Sequence, residues 1–344
     1  MRVVYYQRRP FDTQVSIERL FRSIRAALPA EVDSRTVVCP WPSKGLLPRL
    51  RNIINAWRVA RQEAAKRKVE VVHHITGDVH YLALGLPRCG LVLTVNDCAP
   101  LHRLRGLRRE VLRWCWYVWP VLRARVVTVI SESTATDLRR WVPQRSWTKI
   151  RIVPCAVNPG FTAEPRVWSE EKPVFLQVGS GWNKNLERVV SALEGIPCEL
   201  RVIGPLDSAR RAALSGRGVE VNTLGTLSDE EVCAAYRDCD AVLFVSEFEG
   251  FGMPIIEAQA SGRPVITSDR EPMRSVAGGG ALLADPSDVA SIREAVRRLI
   301  ADAELRERLV AEGLRNVVRY RAEAVAAAYV DVYRDALGGQ TGAS

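Results

Sequence analysis

The stretch that decides the fold runs from Glu247 to Asp269 and reads EFEGFGMPIIEAQASGRPVITSD. The short apolar run Ala241–Val245 precedes this stretch, and a second one, Pro264–Thr267, lies near its end. Both runs predict buried parallel strands. Pro254 suits the first turn of a helix, and the apolar pattern continues to Ser261. Together these parts predict a strand–helix–strand unit in which a glycine-containing loop precedes the helix.

The same alternation of short β-branched runs and longer amphipathic stretches extends along the chain. Further candidate strands are Val3–Tyr6, Thr36–Cys39, Glu70–Ile75, Leu91–Val95, Arg125–Ile130, Lys149–Val153, Val174–Val178, Glu199–Ile203, Val219–Asn222 and Ala281–Ala284. A polar connector with several prolines follows the sixth of these strands, between Pro154 and Pro173. We therefore predict an α/β protein with two doubly wound, Rossmann-like domains, 1–168 and 169–319, and a final helix at about 320–337 that packs back on the first domain.

Composition agrees with this size and excludes several classes of protein. The 344 residues are 47% hydrophobic, which suits two folded cores and rules out a disordered chain. The longest charge-free apolar stretch near a candidate span, Trp114–Leu122, is less than half of the ~20 residues that cross a membrane. The start of the sequence lacks the apolar run of a secretory signal, so we expect a cytoplasmic protein, with the inner face of the membrane as a further location.

Charge is distributed unevenly between the two predicted domains. Residues 1–168 contain 29 Lys and Arg against 12 Asp and Glu, whereas 169–344 contain 20 against 27. A basic first half suits an anionic surface or substrate. The eight cysteines have no CxxC spacing, and none lies at ligand spacing from a histidine. We therefore expect reduced, packed thiols and no metal site.

The loop within 247–269 has the features of a phosphate site. Gly250 and Gly252 let an anion approach the backbone, and the N–H groups at the start of a helix attract it. Glu257, about one turn into that helix, can accept two hydrogen bonds from a ribose diol. Glu249 can reach the group beyond the phosphates. A solvated acidic loop, with Glu257 stabilising the start of the helix, is the alternative on these residues alone.

The motif Glu249-x7-Glu257, within EGFGMPIIEA, closely resembles the donor motif of the retaining GT-B glycosyltransferases of family 4. Other segments match that family in the same order, and the similarity covers most of residues 70–335. They are Thr128–Ser133, Ile152–Pro154, Val178-Gly179 with Lys184-Asn185, Val202–Gly204, and Leu224–Ser228 before Glu231. The resemblance implies a GT-B fold, with the two domains facing each other across a cleft.

The resemblance also implies roles for individual residues. Glu257 would bind the ribose, Glu249 would position the donor sugar, and Lys184 would neutralise the departing diphosphate. Gly179 would open the site beneath the diphosphate, and the backbone around Leu227 would meet the base. The full predicted donor site comprises Gly179, Ser180, Asn183, Lys184, Leu227, Glu249, Gly250, Phe251, Gly252, Met253, Pro254, Ile255 and Glu257. No cofactor and no metal would be needed, and no protein nucleophile, because in front-face transfer the departing phosphate oxygen takes the acceptor proton.

The sequence departs from the family pattern at three places. Many relatives have an arginine directly after the strand-end glycine, where this chain has Ser180, so that one phosphate-binding group is missing or supplied elsewhere. Many have a Gly-Gly loop after the first strand, where this chain reads Gln7-Arg8-Arg9-Pro10-Phe11-Asp12-Thr13. The position often occupied by histidine is Asn96, which cannot act as an acid or base.

A second polar cluster, His73–Tyr81, lies at the end of the predicted strand Glu70–Ile75. Ligands of open α/β sheets bind beyond the carboxyl ends of strands, so we predict an acceptor-side wall there. Its members are Thr76, Gly77, Asp78, Asn96 and Asp97, with His74 as a candidate catalytic residue. A hydrogen-bonded structural histidine is the alternative for each histidine taken singly.

The segment 101–125 interleaves seven arginines with three tryptophans and a tyrosine. This composition suits a peripheral membrane contact, and equally a domain helix with buried tryptophans and solvated arginines. It contains no nucleic-acid motif, so we expect no nucleic-acid partner.

The resemblance therefore implies a retaining, metal-independent hexosyltransferase that uses a nucleoside diphosphate sugar. The hexose would be mannose-like or glucose-like, and the acceptor a saccharide or lipid-linked saccharide of envelope or exopolysaccharide synthesis. The alternative is a catalytically degenerate GT-B subunit that acts as a binding or scaffold partner, which the changes at Ser180 and Asn96 motivate. A nicotinamide-dependent dehydrogenase is disfavoured, because Gly179-Ser180-Gly181 lacks the last glycine of the dinucleotide fingerprint.

Overall fold

Two six-stranded parallel sheets form the framework of the protein. The structure is a computed structural model that describes residues 1–9, 16–66, 69–215 and 217–338. The sequence pattern predicts a first helix over Val15–Leu28 and a frayed tail. Val15, the loop Pro10–Thr13 and the residues after Gly338 lie outside the described residues. The strands of the first sheet are β1 Arg2–Gln7, β2 Asp33–Val38, β3 Val71–Ile75, β4 Leu91–Val95, β5 Val126–Val129 and β6 Ile150–Ile152. Their order in the sheet is β2-β1-β3-β4-β5-β6.

The second sheet has the order β12-β11-β10-β7-β8-β9, again with parallel neighbours. Its strands are β7 Val174–Val178, β8 Glu199–Ile203, β9 Glu220–Gly225, β10 Ala241–Phe244, β11 Val265–Ser268 and β12 Leu282–Ala284. Helices cover both faces of parallel sheets, which is why strands such as β4 and β10 are buried at every position. The α/β prediction of two doubly wound domains is confirmed.

Helices alternate with the strands in both halves. In the first half they are α1 Ser16–Ala26, α2 Leu46–Ala65, α3 Ala99–Arg103, α4 Gly106–Leu112, α5 Trp119–Arg123 and α6 Glu132–Trp141. In the second half they are α7 Leu186–Leu193, α8 Ser208–Ser215, α9 Asp229–Arg237, α10 Met253–Ala260, α11 Met273–Ala277, α12 Val289–Ala301, α13 Ala303–Val317 and α14 Ala322–Leu337. The described helices include none that is both long and apolar enough to cross a membrane.

The chain divides into two units. Unit 1 comprises Met1–Ala156 together with the chain from Ala322 onward, and unit 2 comprises Val157–Arg321. The boundary therefore falls within the polar connector region, ahead of the predicted limit at 168. Helix α14 packs in the core of unit 1, where Tyr329 and Tyr333 lie beside β1 and β3. The last helix thus completes the core of the unit that the start of the chain begins.

The residue pattern of 107–122 predicts a single helix. The structure instead has α4, a π-helical turn at Arg113–Val118 and then α5. Pro120 explains the irregularity, because it has no N–H to donate to the carbonyl of Trp116 four residues earlier. The ring nitrogen Nδ1 of His80 lies 2.8 Å from that carbonyl oxygen and satisfies it instead. His80 is therefore a structural partner of the interrupted helix.

Candidate functional site

The site in unit 2 lies at the position where the order of its sheet reverses. Strands β7 and β10 are neighbours in the sheet, and the chain leaves them toward opposite edges. Ligands of open α/β sheets bind beyond the carboxyl ends of such a strand pair. The two loops that follow, 179–184 after β7 and 245–252 after β10, contain most of the predicted donor residues.

An ion pair joins these two loops. Nζ of Lys184 lies 2.6 Å from Oε1 of Glu249, and both side chains are mostly buried. Nδ2 of Asn183 donates to the same carboxylate oxygen over 3.2 Å and to the carbonyl of Phe248 over 2.9 Å. Nζ of Lys184 also lies 4.7 Å from the centre of the Phe244 ring, on β10. Two of the three residues that the sequence places in catalysis, Lys184 and Glu249, are therefore in direct contact.

Backbone geometry fixes Lys184 in this position. Gly179 has φ +90°, and a Cβ atom there would lie 2.9 Å from Cε of Lys184. The glycine thus makes room for the lysine side chain. Asn185, the next residue, takes a left-handed φ of 58° and donates from Nδ2 to the carbonyl of Val245 over 3.1 Å. The turn after β7 is therefore tied to the end of β10.

The loop after β10 leads directly into a helix. Gly252 has φ +109°, which favours glycine, and α10 begins at Met253 with Pro254 in its first turn. The start of α10 therefore presents backbone N–H groups and the positive end of the helix dipole. Phe251 is buried, with its ring centre 5.6 Å from that of Tyr320. Ile255 is also buried, and Gly250 belongs to the turn before Phe251.

A buried tyrosine holds the second carboxylate of the motif. The hydroxyl of Tyr236, on α9, donates to Oε2 of Glu257 over 2.6 Å. Burial and the Glu257 carboxylate both raise the pKa of Tyr236 well above its usual value, so it stays a donor. Tyr236 thereby fixes the direction of the carboxylate. Sequence inspection did not identify Tyr236, because a tyrosine in an amphipathic helix carries no separate signal.

Arg210 is a further basic residue near the loop after β7. It lies on α8, and its guanidinium donates to the carbonyl of Ser180 and, from Nε over 2.6 Å, to Oε1 of Glu187. The sequence leaves open whether another residue supplies the phosphate-binding group that Ser180 lacks, and the structure brings Arg210 to Ser180. Leu227 is half-buried, directly before the Ser228 cap of α9.

His74 does not lie at a ligand surface. It is fully buried in unit 1, where Nδ1 is 2.9 Å from the Tyr333 hydroxyl and Nε2 is 2.7 Å from the Thr94 hydroxyl. Burial lowers its pKa to about 3, so the ring is neutral near pH 7. The expected catalytic role of His74 does not agree with this position, because both ring nitrogens are engaged and the ring has no access to solvent. His74 instead fits the alternative given above, a hydrogen-bonded structural histidine.

The other residues of the predicted acceptor-side wall lie at the ends of β3 and β4. Asp78 is exposed and pairs over 2.9 Å with Nη1 of Arg8, whose Nε also bonds over 2.9 Å to Glu18. Nδ2 of Asn96 is 3.5 Å from the carbonyl of Thr76. Gly77 lies between Thr76 and Asp78, and Oδ1 of Asp97 accepts a hydrogen bond from the backbone of Ala99. These residues are grouped at one edge of the sheet, as predicted from strand ends.

The segment 101–125 has buried and exposed aromatic residues. Tyr117 is buried, and Nε1 of Trp116 donates to the carbonyl of Asp78. Trp114 and Trp119 are exposed. Within the described parts of the chain, no group of three or more His, Cys, Asp or Glu is placed to hold a metal ion.

Both halves of the chain match family models. Residues 161–315 match "Glycosyl transferases group 1", and residues 6–161 match "Glycosyltransferase Family 4". Among curated proteins, the chain is 26% identical over 234 residues to O-antigen chain mannosyltransferase B of Escherichia coli, covering 61% of each chain. It is 29% identical over 230 residues to phosphatidyl-myo-inositol mannosyltransferase of Mycobacterium leprae, covering 62% of this chain. The matches span 61% of the length of each of these relatives.

Solved structures share the fold over nearly the whole chain. The HepE protein of Anabaena, solved in complex with UDP and glucose, superposes with a TM-score of 0.74 at 14% identity. It covers 96% of this chain and 98% of its own. Sucrose-phosphate synthase from Thermosynechococcus elongatus gives a TM-score of 0.71 at 18% identity, with coverage of 97% and 98%.

Proposed function

The chain belongs to the GT-B glycosyltransferases of family 4, and we propose on this premise that it transfers a hexose from a nucleoside diphosphate sugar to a saccharide acceptor. The observation that carries the proposal is the contact between Lys184 and Glu249 at the carboxyl ends of β7 and β10. A phosphate-binding cation, a sugar-binding carboxylate and the start of α10 occur together there.

In the proposed reaction the chain holds the donor at both ends. Glu257, held by Tyr236, accepts hydrogen bonds from the ribose diol, and the N–H groups at the start of α10 face the diphosphate. The bond from the anomeric carbon to the phosphate oxygen breaks, and the leaving diphosphate gains charge. Lys184 stabilises that charge, as a preorganised cation does without reorganisation of solvent.

Glu249 acts as a positioning residue in this proposal. Its carboxylate orients the hydroxyls of the donor sugar, so that the acceptor attacks from the face that the diphosphate leaves. The acceptor proton passes to the departing phosphate oxygen, and the configuration at the anomeric carbon is retained. His74 has no part in the step, because its ring nitrogens are bonded within the core. The proposed transfer needs no metal ion and no cofactor.

Two kinds of support bear on the substrates. The two curated relatives above are named as mannosyltransferases, and HepE is named in complex with UDP and glucose. We therefore keep mannose-like and glucose-like donors in the proposal. The printed name of the mycobacterial relative refers to a lipid, phosphatidyl-myo-inositol. In this chain, the arginine-rich segment 101–125 has Trp114 and Trp119 exposed. A lipid-linked saccharide acceptor, reached through peripheral membrane contact of 101–125, completes the proposal.

The test begins with thermal unfolding in the presence of UDP, GDP, ADP, dTDP and CMP, each with and without magnesium. A ligand at 100 times its dissociation constant adds about 2.7 kcal/mol of apparent stability. We expect one diphosphate to stabilise the protein without magnesium. Its sugar nucleotides are then assayed for transfer, and the anomeric configuration of the product is read by NMR.

Glu249→Ala separates the enzyme from a degenerate scaffold. It should abolish transfer and leave nucleotide binding, whereas Glu307→Ala, at an exposed position on α13, should change neither. A well-folded protein that binds none of the five nucleotides would favour the scaffold instead. Unchanged transfer by Glu249→Ala would refute the assignment of the site.

A further inference from the structure

Two exposed aromatic residues accompany the ion pair of unit 2. Trp182 comes two residues before Lys184 in the loop after β7, and Phe248 directly precedes Glu249 in the loop after β10. Trp182 is 69% exposed and Phe248 is 48% exposed. The side chains of Lys184 and Glu249, in contrast, are mostly buried. We call Trp182 and Phe248 the aromatic pair.

Trp182 differs from the other tryptophans of the chain. It is the most exposed of the nine, since the next, Trp57 and Trp119, are each 46% exposed. Trp57 lies against the guanidinium of Arg61, and Trp119 lies against Trp114. Within the described parts of the chain, the Trp182 indole has neither a stacked ring nor a stacked guanidinium. Single exposed apolar residues are ordinary, so the significance of Trp182 comes from its position in a loop of the site.

Hydrogen bonds between the two loops fix the backbone of the aromatic pair. The N–H of Glu247 donates to the carbonyl of Asn183 over 2.8 Å. In return, Nδ2 of Asn183 donates to the carbonyl of Phe248 over 2.9 Å. Trp182 is the direct neighbour of Asn183, so both aromatic residues are attached to this bridge. Their backbone is therefore ordered before a ligand arrives, which lowers the entropic cost of binding one.

Polar side chains lie next to the aromatic pair. The guanidinium of Arg188, on α7, donates to the carboxylate of Glu247 and, over 2.9 Å, to Oδ1 of Asn185. The side chains of Arg188 and Glu247 are 42% and 32% exposed, so they remain accessible. A pyranose ring has C–H groups on its faces and hydroxyls around its rim. Aromatic faces beside a carboxylate, a guanidinium and an indole N–H match that chemistry, whereas an acyl chain offers them no hydrogen bonds.

We propose that the aromatic pair, and Trp182 above all, stacks on a pyranose ring of the saccharide acceptor. This inference rests on the proposed function, in which the acceptor attacks from the face that the diphosphate leaves. The acceptor ring then lies on the same side of the donor sugar as Lys184. Trp182 is the exposed side chain nearest to Lys184 in the sequence. The aromatic pair binds and orients the acceptor, and no bond is made or broken at either ring.

The first test measures saccharide binding without transfer. Saturation-transfer NMR is performed on the full chain with the methyl α-glycosides of mannose, glucose and galactose, with UDP or GDP and without nucleotide. We expect saturation of the C–H protons of at least one glycoside. Trp182→Ala should raise the dissociation constant of that glycoside by about tenfold, because one aromatic contact is removed. Trp182→Phe keeps a flat ring and should restore part of the binding.

Two controls accompany this measurement. Glycerol has hydroxyls but no ring face, and it should receive no saturation. Trp147→Ala removes a tryptophan that is 38% exposed in the turn Gln144–Lys149, directly before β6 and therefore at the amino end of a strand. This variant should bind the glycosides as the unmodified chain does. Circular dichroism and the melting temperature establish that each variant is folded.

Acceptor kinetics provide a second readout where transfer is observed. Trp182→Ala should raise the KM for the acceptor by about tenfold and leave kcat at saturating acceptor close to that of the unmodified chain. A general loss of structure would lower kcat as well. The dissociation constant of the nucleoside diphosphate should not change. Phe248→Ala should show the same split with a smaller rise in KM, because Phe248 is less exposed.

The outcomes separate this inference from the proposed function. Equal glycoside binding by Trp182→Ala and the unmodified chain would overturn the inference, as would a folded unmodified chain that binds none of the three glycosides. Weaker nucleotide binding by Trp182→Ala would also overturn it, because the indole would then stack on the base. Each of these results leaves the proposed transfer standing. Glycoside binding that depends on Trp182, without transfer from any donor, would contradict the proposed function alone.

Discussion

Lys184 and Glu249 are 65 positions apart in the sequence, yet Nζ of the first lies 2.6 Å from Oε1 of the second. The two charges are paired in a largely buried setting. In the proposed function, a diphosphate that binds Lys184 therefore competes with the Glu249 carboxylate, and its binding would free Glu249 to contact the sugar. This coupling leads to the first prediction.

Glu249→Gln keeps the shape of the side chain and removes its charge. We expect the variant to bind the nucleoside diphosphate at least as tightly as the unmodified chain, and to transfer sugar about tenfold more slowly or worse, because a charged hydrogen bond to the sugar is removed. Calorimetric titration and the initial transfer rate measure the two effects. Lys184→Ala is the counterpart, since it should weaken diphosphate binding. Equal weakening by both variants would contradict the competition.

Gly179→Ala tests whether the glycine exists to admit Lys184. The added Cβ would lie 2.9 Å from Cε of Lys184 and would also strain the backbone at φ +90°. We expect weaker diphosphate binding and a loss of about 1–3 kcal/mol in unfolding free energy. Gly195→Ala supplies the control, because Gly195 has φ +74° and a Cβ atom there would meet no atom of the described residues within 4 Å. Only the first variant should affect binding.

Tyr236→Phe removes one hydroxyl from the interior of unit 2. The Glu257 carboxylate then loses a 2.6 Å hydrogen bond, and we expect a loss of about 1–3 kcal/mol in stability together with weaker nucleotide binding. Comparing a ribonucleotide with its 2′-deoxy analogue distinguishes orientation of Glu257 from general destabilisation. The preference for the ribonucleotide should shrink in the variant. An unchanged preference would argue against ribose binding by Glu257.

Arg210→Ala addresses the departure at Ser180. If Arg210 binds the phosphate, the dissociation constant of the nucleoside diphosphate should rise by about tenfold, the worth of one charged hydrogen bond, while that of the nucleoside is unaffected. Arg211→Ala, at the next and exposed position of α8, is the matched variant and should bind normally. Equal loss of nucleoside and nucleoside diphosphate binding in Arg210→Ala would indicate a structural role.

Two of the three buried histidines, His73 and His74, make stability depend on pH in a way that can be estimated. Burial lowers the pKa of His74 to about 3 and that of His73 to about 4, whereas the pKa of an unfolded histidine is about 6.5. The unfolded chain therefore binds more protons as the pH falls below about 6.5, and each histidine removes about 2 kcal/mol of stability between pH 7 and pH 5. Denaturant unfolding at both pH values should show this loss.

His74→Gln should reduce that pH-dependent loss by about 2 kcal/mol, although the variant is less stable at pH 7 than the unmodified chain. His102→Gln, at a histidine that is paired with Asp137 outside the core, serves as the comparison. A pH dependence in His74→Gln equal to that of the unmodified chain would show that the ring protonates without unfolding.

Sequence patterns were most informative where packing and local chemistry agree. Strands β4, β7 and β8 begin and end at the predicted residues. In β4 every position is buried, because both faces of a parallel sheet are covered. The five-residue helices α3 and α11 were not predicted, since they are too short for a periodic pattern. Lys184 and Glu249 were singled out through the resemblance to the family, and the structure places both residues after the carboxyl ends of the neighbouring strands β7 and β10.

Side-chain environment was less accessible to sequence reasoning. His74 occupies a strand end, like a ligand-binding residue, but the partner that encloses it, Tyr333, lies 259 positions away. In the sequence, Arg210 cannot be distinguished from a solvated arginine on a helix surface. The structure shows that its guanidinium on α8 contacts the carbonyl of Ser180.

The placement of α14 has a consequence for the order in which the protein can mature. A ribosome releases the chain from its first residue to its last, so unit 2 is continuous and complete before Tyr329 and Tyr333 have been made. Until then β1 and β3 lack the helix that encloses Tyr5 and His74. Unit 1, whose first residues are translated before unit 2, is therefore the last of the two units to have its complete core sequence. A nascent chain stopped directly before residue 322 would contain all residues of unit 2 but would lack α14 of unit 1.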